Sequence, residues 1–131
     1  MSLARFLSTD GPYLEAKIEV GGTTLCIMDE FSDDKRNIPK VGAEFEFEFS
    51  AYIDEGETWE FIFSGNPDKK IGIEQLIGWK YRAYGKIVSI NPVVVDCGLL
   101  KVEGVIHTND PRVIGEFVAF TISRLGGVAY T

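Results

Sequence analysis

Histidine, cysteine and positive charge are all scarce in this 131-residue chain, and each scarcity excludes some chemistry. With His107 as its single histidine it cannot build a multi-histidine metal centre, and Cys26 and Cys97 are too far apart in sequence for paired Cys-x-x-Cys zinc ligation. Two reduced thiols in a cytoplasmic protein is the economical reading, with a single bridge between them left open. No run approaches the length of a membrane span, and Met1 to Leu7 lacks the apolar core of a signal peptide, so a soluble cytoplasmic protein is expected. The first three residues are given no structural weight.

Thirteen basic side chains against twenty acidic ones give a net charge of −7, which repels phosphate backbones and anionic membranes on average. The imbalance lies in one half. Residues 1–60 hold fourteen Asp and Glu and five Lys and Arg, whereas residues 61–131 hold six and eight.

The sequence also lacks a phosphate loop, a Gly-x-Ser-x-Gly elbow and a dinucleotide fingerprint, so no cofactor is expected. A Cys97–His107 dyad would have to close about 30 Å of extended chain. Twenty carboxylates leave a carboxylate-based hydrolase open, since many pairs can arise by accident.

What is present is strand patterning. A hydrophobic content of 45% over this length suits one domain, residues 1–131, with a real core. Tyr13 to Val20 alternates apolar and polar residues, and Gly21-Gly22 then predicts a two-residue turn that pairs Val20 with Thr23, Ile18 with Leu25 and Ala16 with Ile27. That register sends Cys26 outward beside Lys17. Asp29 to Lys40 reads as a solvated acidic loop; Asp29, Glu30, Asp33 and Asp34 do not have the spacing of a calcium loop, so no metal is expected.

Ala43 to Ile53 alternates Phe45, Phe47 and Phe49 with Glu44, Glu46 and Glu48. Beyond Asp54-Glu55-Gly56 the pattern predicts a partner strand with Trp59, Phe61 and Phe63 inward, pairing Phe49 with Phe61 and Phe47 with Phe63. Asn66 to Gly78 predicts a short helix opened by Asn66-Pro67-Asp68 and carrying Ile73, Leu76 and Ile77 on one face. Trp79 to Tyr84 predicts an edge strand, Lys80, Arg82 and Tyr84 on one side and Trp79, Tyr81 and Ala83 on the other, bent at Gly85. Cys97-Gly98 predicts a turn pairing Val95 with Leu100 and Val93 with Val102; Asn109-Asp110-Pro111 predicts another. Glu116 to Leu125 is apolar on both faces, as a central or covered strand is.

Gly85-Lys86-Ile87, Ile90, Val95-Asp96-Cys97-Gly98, Val102 to Asp110 and Gly115 to Val118 follow one another in the order seen in S1-type RNA-binding domains, so residues 84–125 resemble that branch of the oligonucleotide/oligosaccharide-binding (OB) fold. The resemblance implies a five-stranded barrel order and places His107 near an RNA surface. The stacking aromatics it implies in the second strand have no counterpart in Asn91 to Val95.

The expected fold is all-β, an OB-like Greek-key barrel or sandwich of about seven or eight antiparallel strands with one short helix. The expected function is non-catalytic binding. Glu44, Glu46, Glu48, Asp54, Glu55, Glu57 and Glu60 would face a basic protein partner. Alternatively, Lys80, Tyr81, Arg82, Tyr84, Lys86 and His107 would bind single-stranded nucleic acid or an oligosaccharide. A third reading is a subunit of a homo-oligomer that buries outward apolar residues such as Ile62 and Phe117.

Overall fold

The computed structural model describes residues 2–32 and 39–129. These residues form strands β1 (Ser2–Thr9), β2 (Glu15–Val20), β3 (Thr23–Asp29), β4 (Glu44–Ile53), β5 (Gly72–Ile77), β6 (Lys80–Ser89), β7 (Val94–Asp96), β8 (Lys101–Glu103) and β9 (Phe117–Ala129), with helix α1 (Trp59–Ser64) and a 3-10 turn at Pro111–Val113. The expected all-β class is therefore met. The β1–β2, β1–β4, β2–β3, β6–β7, β6–β9 and β7–β8 pairings are antiparallel, and β3 meets the end of β9 in parallel at Met28 and Gly126. The residues group into two compact units, one of the chain up to Ala51, Ile77–Trp79 and the chain from Arg124, the other of Tyr52–Leu76 and Lys80–Ser123.

In the first unit the strands run β3-β2-β1-β4. The β2–β3 register is the one that the sequence predicts, with Val20 opposite Thr23, Ile18 opposite Leu25 and Ala16 opposite Ile27. Gly21 and Gly22 both take positive φ, 56° and 82°, as a primed hairpin turn requires. Cys26 does lie opposite Lys17, but it is buried rather than outward, its thiol hydrogen-bonded to Glu15. Strand β1, which no sequence expectation covers, begins at Ser2 and puts Ala4 and Phe6 into the core.

Alternation along β4 buries Phe47 fully. Phe6, Phe31, Phe45, Phe47 and Phe49 form a chain of ring contacts with centroids 4.7–6.5 Å apart. Each such pair adds about 0.5–1.5 kcal/mol to what area burial supplies. Asp29, Phe31 and Ser32 are all buried and contradict the solvated-loop reading at its start. Asp29 is fully buried, and its carboxylate accepts hydrogen bonds from the backbone N–H groups of Phe31 and Ser32 and from the hydroxyls of Thr9 and Ser32. Four donors replace the water that a buried carboxylate gives up. Glu30 accepts a hydrogen bond of 2.6 Å from the Ser50 hydroxyl, whereas Asp33 and Asp34 lie outside the described residues.

In the second unit β9 pairs with β6, and β7 and β8 follow. The strand expected after Gly56 is instead α1. Thr58 caps it, its hydroxyl accepting from the Phe61 N–H at 3.2 Å, and Glu60 sits in the first turn where the helix dipole favours an acid. One turn of helix outweighs a period-two pattern only five residues long. It turns Ile62 inward and leaves Trp59 and Phe61 half exposed, so neither pairs with Phe49 or Phe47.

The helix expected at 66–78 is also replaced: Gly72 to Ile77 is β5, paired with β6. The Asn66 side chain closes a loop rather than capping a helix. Its Oδ1 accepts from the Lys70 N–H at 2.7 Å, and its Nδ2 donates to the carbonyls of Lys70 at 2.9 Å and Val118 at 3.2 Å.

Strand β6 is internal, flanked by β9 on one side and by β5 and β7 on the other, so its cations do not blunt an edge. Its register with β9 runs unbroken through Gly85, and the irregularity falls between Ile87 and Ser89 against β7. The β7–β8 register pairs Val95 with Val102, two residues from the expected pairing, because Gly98-Leu99 forms the turn between Cys97 and Leu100. A slip of two keeps every side chain on its expected face, so Val93, Val95, Leu100 and Val102 are still buried. Val118, Ala119, Phe120, Thr121 and Ile122 are all buried, as a central strand should be. Asp110 caps the 3-10 turn through the Arg112 N–H.

Candidate functional site

Three groups of polar side chains stand out, and each lies within one unit. The first is on β4. Glu44, Glu46 and Glu48 are all exposed on the side away from Phe47. The β1 register sets Arg5 opposite Glu44 and Leu3 opposite Glu46, and Arg5 in turn faces Glu19 of β2. The Arg5 guanidinium lies 3.6 Å from Glu44 and 4.0 Å from Glu19. Glu15 and Lys17 lie on the same side of β2 as Glu19.

The second group lies along β6. Tyr81 is 2% exposed and faces the core, which removes it from any ligand surface. Arg82 is not available either. Its guanidinium is 2.8 Å from Glu57 and 5.0 Å from the Phe61 ring centroid, with the Arg82 and Glu57 side chains only 15% and 11% exposed. Glu57 also accepts from the Thr121 N–H at 2.6 Å, so it is an internal strut and not part of an acidic surface.

Lys80 is exposed and Tyr84 half-buried; Lys86 is exposed and stands 5.9 Å from the Phe117 ring. Lys69 approaches the same ring at 5.9 Å, and Lys70 lies 5.1 Å from the Tyr84 ring. Lys69 and Lys70 follow Asn66-Pro67-Asp68 and are absent from the expected ligand residues, although a turn ending in Lys-Lys is itself a surface signal. Glu74 lies 3.9 Å from Lys70 and tempers the charge there.

The third group surrounds a cavity of about 470 Å³. His107 is here, and not with Lys80, Lys86 or Tyr84; Asp54, Glu55 and Trp59 share the lining with it. Glu60 is exposed on α1 nearby in sequence. Of the two apolar residues expected to face a second copy, Ile62 is buried at 4% exposure and Phe117 is half-buried.

The thiols are not poised as nucleophiles. Burial pushes Cys97 up to about 12, with Asp96 adding to the effect, and burial followed by Glu15 raises Cys26. Asp110 is held down at about 2 by its hydrogen bonds to Arg112. Among the described residues no three His, Cys, Asp or Glu side chains are placed to share a metal ion, and no helix is long and apolar enough to cross a membrane. Comparison with protein-family models, with curated proteins and with solved structures finds no match to the chain.

Proposed function

We propose that the chain is a non-catalytic binding domain, an OB-like barrel variant in the cytoplasm, that engages a basic protein partner through exposed carboxylates. The observation that carries this reading is the outward row Glu44, Glu46 and Glu48, set on a strand whose other face is locked into the aromatic core. Glu15 and Glu19 on β2 extend the row. Charge complementarity of this kind accelerates encounter and sharpens partner choice. A labelled lysine-rich peptide should bind the wild-type chain and weaken steeply with salt, and Glu44→Gln/Glu46→Gln/Glu48→Gln should lower its affinity by about tenfold, or about 1.4 kcal/mol. Equal binding by the triple variant would remove β4 from the interface.

The second reading, a single-stranded nucleic acid or oligosaccharide ligand, is favoured by the grouping of Lys69, Lys70 and Lys86 around Phe117 and Tyr84. Aromatics with cations beside them are what a single strand uses for stacking and phosphate contact. Arg82, Tyr81 and His107 have no part in that group. Binding of a short oligothymidylate that falls with salt and with Lys86→Ala would support this reading over the first.

A further inference from the structure

The segment from Asp54 to Phe61 repeats one arrangement, a carboxylate four residues ahead of an aromatic. Glu57 and Phe61 form the inner copy, and the structure shows what that copy does. It holds a guanidinium, with the Arg82 fork 2.8 Å from Glu57 and its carbon 5.0 Å from the Phe61 centroid. Glu55 and Trp59 form the outer copy, and both line the cavity of about 470 Å³. Trp59 meets the Phe63 ring at 6.4 Å and is still 52% exposed.

We propose that this cavity is the anchor site for an arginine side chain of the basic partner, an inference that rests on the reading of the chain as a basic-protein binder. Its volume falls within the about 300–1,000 Å³ typical of ligand pockets. Ile53, Ile62 and Ile106 supply apolar surface for the three methylenes, which lose contact with water on insertion. Trp59 supplies the ring face on which a guanidinium stacks, tryptophan being the strongest of the aromatics in that role. Glu55 and Asp54 supply the oxygens. Asp54 already accepts from the Gly56 N–H at 2.9 Å, which fixes its position while leaving further acceptor sites on the carboxylate.

Charge decides the sign of the guest. Among the described residues no Lys or Arg lines the cavity, and Glu57 at its inner edge is already paired with Arg82. The two remaining carboxylates share the lining with His107 as its one basic side chain. Arginine is preferred over lysine because a planar fork stacks on the indole and meets carboxylates with two bonds at once. Tryptophan and arginine are both enriched among the hot spots of protein interfaces.

The test titrates the isotopically labelled full chain with a short peptide of alternating glycine and arginine, and with its citrulline counterpart, which keeps the shape and loses the charge. The arginine peptide should shift the Trp59 indole N–H and the amides of Asp54, Glu55 and Ile106 in a saturable way, and the citrulline peptide should not. Glu55→Gln, at an exposed position that does not endanger folding, and Trp59→Leu should each weaken binding at least fivefold. Shifts confined to the amides of Glu44, Glu46 and Glu48 would overturn the anchor while leaving the basic-partner reading intact. No shift at either place would overturn both, and equal binding of the citrulline peptide would overturn the anchor as a guanidinium site.

Discussion

The Glu57 carboxylate lies 2.8 Å from the Arg82 guanidinium and also accepts the backbone N–H of Thr121 at 2.6 Å. One side chain thus holds the chain after β4 against the β6–β9 pair. Glu57→Gln removes the charge that balances a largely buried Arg82 and should cost about 3 kcal/mol, the lower end for breaking a buried pair. Arg82→Met together with Glu57→Gln should cost less than Glu57→Gln alone, because no lone charge is left behind. Urea denaturation of the three variants measures both differences.

Gly85 and Val95 are in close approach on neighbouring strands. A methyl group on Gly85 would come 2.5 Å from the Asp96 carbonyl oxygen and 2.7 Å from Val95 Cγ1, and the first of these is backbone that cannot swing aside. Gly85→Ala should therefore destabilise by at least the about 1–3 kcal/mol of ordinary overpacking. Gly104→Ala is the contrasting case. It meets open space, so only its φ of +81° opposes the change, at about 1–2 kcal/mol. Thermal denaturation should rank the two in that order.

Cys97 makes stability depend on alkaline pH. Its folded thiol is pushed from 9.0 up to about 12, so between those values the folded state keeps a proton that the unfolded state has lost. The contribution is fully present below pH 9 and declines as pH rises toward 12, by at most about 1.4 kcal/mol per pH unit. Cys97→Ala should flatten that part of the stability–pH curve. Native Cys97 should also resist alkylation at neutral pH and react once the chain is unfolded.

Asp29 is a polar keystone of the first unit. Asp29→Ala would strand the buried N–H groups of Phe31 and Ser32, at about 1–3 kcal/mol for each unsatisfied group. Asp29→Asn retains an acceptor and should recover part of the loss. Comparing the two variants by denaturant midpoint separates lost hydrogen bonding from lost charge.

Strand alternation was legible wherever it ran long enough and ended in a specific turn. The Gly21-Gly22 turn led to the observed register, although the strand expected from Tyr13 begins only at Glu15, Tyr13 taking a φ of 62° and Leu14 being exposed; Glu116 to Leu125 led to a central strand, because period two and positive-φ glycines leave few alternatives. Trp59 to Ser64 misled because its alternation is short and Thr58 caps a helix. Asn66 misled for the opposite reason, since its side chain bonds across sequence to Val118, a partner that no local pattern reveals. The exposed glutamates of β4 were legible from alternation alone. The fate of Arg82, Tyr81 and Glu57 was not: charge on a strand shows which face a side chain takes, not whether a later segment folds over it. The Glu55 and Trp59 pair was visible as a spacing, but that both line one cavity was not.

The measurement that tests the account most directly is a paired titration of the full chain with a labelled arginine-rich peptide and a labelled short oligothymidylate, by fluorescence polarisation at low and physiological salt. Binding of the peptide, weakening with salt, with no binding of the oligonucleotide, is the predicted result. Binding of the oligonucleotide and not the peptide would contradict it and shift the functional surface to Lys69, Lys70, Lys86 and Phe117.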